Sequence, residues 1–224
     1  PRWMEMLRFV EKKDKELGIE TDMATGTGWP FGGPWVPLSE AACKAVFVDT
    51  IVDVKKKLMD INFTLPEKER NFAKLKVIKA YPVAGTTKKK RVIALYESRT
   101  RQMVKRAAPG GEGYVIDHFD STAVAHYLAH IDSAFPASGT PFPHTFFNDS
   151  YDVSGDNWTP TLLTEFENMH GYKLQDKFPE FLDGDAIVVS DYRETLGEML
   201  LHNFTNNGLH GHTSTEPSHA TRRT

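Results

Sequence analysis

The sequence has a single cysteine, Cys43, among 224 residues, so no internal disulfide can form. Cys43 lies in Ala41-Ala42-Cys43-Lys44-Ala45-Val46, which reads as helical and buried. A small core residue is its plain role, since a thiol nucleophile needs a nearby base and the neighbouring sequence offers none. The chain also lacks an excess of either charge: 27 Lys and Arg stand against 30 Asp and Glu, a formal net charge of −3. Binding along a phosphate backbone needs a basic face, so no nucleic-acid partner is expected. The basic run Lys88-Lys89-Lys90-Arg91 precedes an apolar strand and reads first as a solvated loop, second as a binding patch. No run of about 18 apolar residues occurs, which excludes a conventional transmembrane helix and leaves no membrane insertion expected.

Several catalytic signatures are missing too. Gly26-Thr27-Gly28 superficially suggests a phosphate cradle, but Trp29, Pro30 and Phe31 follow it, with no Lys-Ser/Thr pair and no helix start. There is no nucleophile elbow, no Ser-His-Asp order and no zinc-ligand spacing. No signal peptide is visible. The chain does not begin with Met, however, and Trp3, Met6, Leu7 and Val10 already form a helical stripe. It is therefore expected to begin inside a structural element.

What is present is an ordinary globular composition, 40% hydrophobic and 25% charged, which permits one large domain or two small ones. An amphipathic helix is expected from Trp3 to Leu17, closed by Gly18. A strand over Ile19 to Ala24 leads into a loop, residues 25–35, with four glycines, two prolines and three aromatics. Ser39 is then expected to cap a helix carrying Ala42, Ala45 and Val46. Strands at Thr50 to Val54, Leu75 to Ala80 and Val92 to Tyr96 suggest a small β-rich insertion over about residues 50–106. Tyr114 to Ile116 reads as a strand, with Ser121 capping the helix that follows. Thr145 to Phe147 reads as the next strand. A helix capped at Thr159, with Pro160 in its first turn, should end at Gly171. A last helix is expected from Ala186 to Phe204.

Strands alternating with helices imply parallel βαβ units, and open α/β sheets and barrels place their sites just after the strands. Three strand ends carry suitable residues. The strongest is Phe147-Asn148-Asp149-Ser150-Tyr151-Asp152, followed by Trp158. Carboxylates beside aromatic rings suit sugar chemistry, because rings stack on pyranose faces and glycoside hydrolysis needs two carboxyl groups. The same residue types also make polar caps ahead of a helix. The second is the aromatic loop with Trp29 and Trp35, a candidate wall for a sugar subsite. The third is Asp117-His118-Phe119-Asp120, able to bind hydroxyls or a metal, or simply to cap and pack.

Together these segments carry a resemblance. Gly28-Trp29-Pro30-Phe31-Gly32-Gly33-Pro34-Trp35-Val36, then Val104 to Gly113 leading into Asp117-His118-Phe119, then Phe147 to Val153 with Asn157-Trp158-Thr159-Pro160, resemble in order and spacing the family 106 glycoside hydrolases, the α-L-rhamnosidases. The likeness runs from about residue 1 to Thr205. It implies a partial (β/α)8 TIM barrel with the β-rich insertion, and calcium-assisted hydrolysis of terminal α-L-rhamnosides with inversion. Its calcium ligands are not identifiable from the sequence. The implied partner is a rhamnose-containing oligo- or polysaccharide, pectic chains among them. The implied parent is an exported bacterial protein, periplasmic or secreted. Asp152 and Asp149 are the expected catalytic residues. Trp29, Trp35, His118, Asp120 and Trp158 are the expected substrate contacts.

Two departures from the family pattern stand out. Asp152 occupies a position where a Glu is expected as general acid, one methylene longer. Withdrawing the carboxyl by about an ångström can cost roughly 100-fold in rate. After Thr205 the barrel-like pattern stops, and residues 206–224, with His210, His212 and His219, read as a disordered or frameshifted tail. The chain is therefore expected to be a fragment without activity of its own. Two other readings fit parts of the sequence: a carbohydrate-binding module that uses Trp29, Trp35 and Trp158 as platforms, and an α/β enzyme with a phosphorylated substrate, which the aromatic loop and the missing basic phosphate site disfavour.

Overall fold

A computed structural model describes residues 2–146 and 151–205. The fold is mixed α/β and divides into two compact units. The first comprises Pro1–Ala41, Gln102–Val153 and Leu200–Thr224, and the second Ala42–Arg101 and Ser154–Met199.

The first unit starts with α1 (Arg2–Leu17), which buries Met4 and Leu7. These pack on Phe135 of α2 (Ser121–Ser138). β1 (Asp22–Met23) pairs in parallel with β7 (Thr145–Phe146), the arrangement expected of βαβ units. β2 (Gly32–Gly33) pairs antiparallel with β6 (Tyr114–Val115). The approach is so close that a Cβ on Gly32 would lie 2.2 Å from the Tyr114 carbonyl oxygen. Only glycine fits there. Among the described residues the sheets have two, two and three strands.

Asp120, not Ser121, caps α2: its side chain accepts from the backbone N–H groups of Thr122 and Ala123. Asp accepts these bonds as well as Ser does and adds a negative charge at the positive helix end. Val36, Ile116, Val124, Tyr127 and Leu128 form the core behind this helix.

The second unit is built on a three-stranded antiparallel sheet in the order β3 (Cys43–Asp53), β5 (Thr86–Arg99), β4 (Lys74–Val83). The helix expected around Ala42 to Val46 is instead the start of β3. Cys43 pairs with Arg99, and the register runs unbroken to Asp53 opposite Lys89. The helical spacing of small residues there loses to eleven consecutive cross-strand partners and to the β-branched run that follows. The expectation that Cys43 is buried holds, at 0% exposure. Against this sheet pack α3 (Leu162–His170), α4 (Phe178–Leu182) and α5 (Ala186–His202), through Leu162, Phe166, Phe178 and Val188. α3 ends at Gly171 as expected, but its N-cap is Thr161 rather than Thr159. The β-rich segment thus shares a core with residues 154–199.

No helix among the described residues is long and apolar enough to cross a membrane.

Candidate functional site

The first unit gathers parts of all three sequence motifs. Trp29 and Lys105 exchange two backbone hydrogen bonds: the Trp29 N–H donates to the Lys105 carbonyl at 3.0 Å, and the Lys105 N–H to the Trp29 carbonyl at 2.8 Å. The contact is possible because residue 28 is glycine, where a Cβ would stand 2.5 Å from the Lys105 oxygen. This pairing carries the Lys105 ammonium to 5.6 Å from the Trp29 ring centre, within range of a cation–π attraction. The same ammonium lies 3.3 Å from the Asp152 carboxylate. Gln102 donates to the Asp152 backbone carbonyl at 3.0 Å. Trp29 from the aromatic loop and Asp152 from the last motif are therefore joined through Lys105, with Gln102 holding the Asp152 backbone; sequence reasoning singles out neither. The signal for Lys105 was its place in the Val104 to Gly113 segment.

Asp152 and Lys105 are both about half exposed, so their pairing contributes at most about 1 kcal/mol. Asp149 lies outside the described residues, as does the tail from Asn206, so neither expectation acquires a placement.

His118 is 3% exposed. Its Nδ1 lies 3.0 Å from the Ile116 carbonyl oxygen, and burial pulls its pKa down to about 4. The ring is thus neutral near pH 7. With Nδ1 donating to that carbonyl, Nε2 is left as an acceptor. Asn203 donates to the His118 carbonyl at 2.9 Å. Asp117 is fully buried and receives the Phe119 N–H at 3.1 Å. Asp120 is occupied in capping α2.

The aromatic rings form a ladder. His130 stacks on Trp35, Trp35 on Tyr127, Tyr127 on Phe31, Phe31 on His118 and His118 on Phe204, with centroid spacings from 4.3 to 6.3 Å. Tyr151 meets His118 edge-on at 5.1 Å. The Tyr127 hydroxyl lies 2.8 Å from the Thr25 carbonyl and 3.1 Å from that of Gly32, and accepts from the Gly32 N–H at 3.3 Å. Tyr127 thereby pins the aromatic loop onto α2, and burial raises its phenol pKa. Trp35 is one rung of this ladder, its faces covered by the chain's own rings. Trp29 keeps partial exposure, and its indole N–H is buried and meets no hydrogen-bond acceptor among the described residues.

Trp158 belongs to the second unit and is 1% exposed. It sits in the core with Cys43, Ile93, Leu95 and Leu162. Its ring is withheld from solvent, and packing is the role this placement gives it. Of the expected sugar contacts, Trp29, Trp35, His118 and Asp120 share the first unit with Asp152, and Trp158 does not.

Calcium takes six to eight oxygen ligands. Among the described residues no set of three His, Cys, Asp or Glu side chains converges around Asp152; the one such set is His170, Asp191 and Glu194 in the second unit. Asp152 already has an ammonium beside it. The described residues do not by themselves fit a calcium ion at Asp152.

A family model described as alpha-L-rhamnosidase matches residues 81–210, more than half of the chain. A protein of Formosa agariphila, provisionally named a beta-glucuronidase, is 22% identical over an alignment of 274 positions that covers 90% of this chain and 23% of the relative. The chain therefore spans about a quarter of that relative's length. The solved structure of a rhamnosidase from Novosphingobium sp. PP1Y matches with 25% identity and a TM-score of 0.47, over 55% of this chain and 14% of that one.

Proposed function

The chain belongs to glycoside hydrolase family 106, the alpha-L-rhamnosidases, and from that premise we propose that it is part of a catalytic (β/α)8 barrel that hydrolyses terminal α-L-rhamnosides. The observation that carries this reading is the junction at Lys105. It joins Trp29 and Asp152, residues 123 positions apart in the motifs that resemble the family, in one half-exposed place. In the proposal, Trp29 stacks on the sugar through the exposed part of its ring. Asp152 occupies the general-acid position of the complete barrel, with Asp149 orienting the substrate. His118, buried and neutral, holds the floor of the subsite in place through the ring ladder. Trp35 and Asp120 act by fixing the loop and the helix start.

Inversion belongs to the same proposal. It requires a second carboxylate about 6.5–9.5 Å from the acid to activate water. Calcium assistance likewise requires oxygen ligands beyond those the described residues gather. The chain spans under a quarter of the curated relative's length. We therefore propose that these 224 residues bind a rhamnoside without turning it over.

Titration calorimetry with methyl α-L-rhamnoside, beside an assay with 4-nitrophenyl α-L-rhamnoside, tests this. Binding that Trp29→Ala weakens, with nitrophenol released no faster than in buffer, is the expected result. Absence of binding overturns the site assignment. Release above the buffer rate overturns the claim that the chain is catalytically incomplete.

A further inference from the structure

The second unit carries a charged feature that the sequence separates and the fold assembles. Lys55, Lys56 and Lys57 follow directly on β3, and Lys88, Lys89 and Lys90 open β5. The two strands are neighbours: Val52 lies opposite Lys90 and Asp53 opposite Lys89. The Val54 N–H extends the pairing by donating to the Lys88 carbonyl at 2.9 Å. Six lysines from runs more than 30 positions apart therefore crowd one end of the sheet. Five are exposed and Lys90 is partly so.

None of the six forms an ion pair among the described residues, whereas basic residues further along the sheet do. Lys44 pairs with Glu69, Lys76 with Glu97 and Lys79 with Asp176. Arg91, next in line after Lys90, is held by both Asp49 and Asp183 at 2.7 Å. Within the two runs the one acidic side chain is Asp53, which accepts the Lys55 backbone N–H at 2.9 Å; Asp60 follows a few residues on. Like charges packed this closely repel, and salt only partly screens them. A multivalent anion relieves that repulsion and releases the counterions the lysines would otherwise hold.

We propose that this lysine tip docks a polyanionic glycan, a chain bearing carboxylates on successive sugars. The proposal rests on the glycosidase reading for its choice of partner and names the substrate class more closely. Lysines supply point charges rather than the planar forks that grip phosphate in two places. The guanidinium next to the tip, Arg91, is already held by Asp49 and Asp183, so the tip presents lysine alone. This favours carboxylated sugar over nucleic acid. Val54 and Met59, which flank the first lysine run, are exposed, so anionic vesicles are included in the test as the competing surface.

The test uses the 224-residue chain with polygalacturonate and its fully methyl-esterified form, whose backbone matches but whose charge is removed. Calorimetry at about 50 and about 200 mM NaCl should show binding to the charged polymer alone, weakening about tenfold or more with salt. The triple variants Lys55→Gln/Lys56→Gln/Lys57→Gln and Lys88→Gln/Lys89→Gln/Lys90→Gln should each weaken it about tenfold or more. All six positions are at the surface, so both variants should fold. No binding at low salt, equal binding by the variants, or tighter binding to duplex DNA or phosphatidylserine vesicles than to polygalacturonate would each overturn the proposal. Methyl α-L-rhamnoside titrated into the same variants separates the two readings: its binding should be unchanged, and its loss in the unmodified chain would count against the glycosidase site and not against the tip.

Discussion

Lys105 and Asp152 meet at 3.3 Å, ammonium to carboxylate, with the Trp29 ring on the same ammonium. The pair is half exposed, so its energetic role is small and its positional role larger. A double-mutant cycle with Lys105→Met and Asp152→Asn should give a coupling below about 1 kcal/mol in chemical denaturation. A coupling of several kcal/mol would mean that the pair is a structural ion bridge rather than a positioning contact.

Gly28 sets that geometry. Gly28→Ala would place a Cβ 2.5 Å from the Lys105 carbonyl oxygen and 3.1 Å from the Ala107 nitrogen. Both neighbours are backbone and cannot swing away. A loss of about 1–3 kcal/mol is expected, together with weaker rhamnoside binding as Trp29 is displaced from Lys105. Equilibrium unfolding that leaves the variant as stable as the parent would show that the approach is not this close.

His118 makes stability depend on acid. Its pKa in the fold is about 4, against about 6.5 when unfolded. The unfolded chain therefore takes up a proton that the folded chain refuses. Stability from this group is complete above about pH 6.5 and falls as the pH drops towards 4, by up to about 3 kcal/mol. His118→Phe keeps a ring in the stack with Phe204 and removes the proton. The acid-side decline in melting temperature between pH 6.5 and 4 should shrink in this variant. An unchanged decline would show that other groups govern it.

Trp158 lies in the core of the second unit, where it fills space beside Leu162 and Cys43. Trp158→Ala should cost about 3–5 kcal/mol, read by denaturant unfolding. A mild effect would indicate a ring at the surface and would return it to the sugar-contact candidates.

These residues also show what a sequence reveals and conceals. The ends of α1 at Gly18 and of α3 at Gly171 were legible because left-handed C-terminal glycines are local features. The carboxylate and aromatic motifs were legible by type and order. Ala42 to Val46 was misread because its helical spacing is local, whereas its pairing with β5 comes from residues more than 45 positions away. Trp158 sat beside the carboxylate motif in sequence, yet burial depends on partners such as Ile93 and Leu95 that no local pattern shows. Lys105, and the meeting of Lys88–Lys90 with Lys55–Lys57, escaped for the same reason, since their meaning lies in pairing between distant segments.

The central claim is that the site around Trp29 and Asp152 recognises an α-L-rhamnoside. Saturation-transfer NMR on the chain, with methyl α-L-rhamnoside and methyl β-D-glucuronide in one tube, tests it most directly, because the family model is described as alpha-L-rhamnosidase while the Formosa relative is provisionally named a beta-glucuronidase. Transfer to the rhamnoside alone, lost in Trp29→Ala, is the predicted result. Transfer to the glucuronide alone, or to neither sugar, would contradict the account.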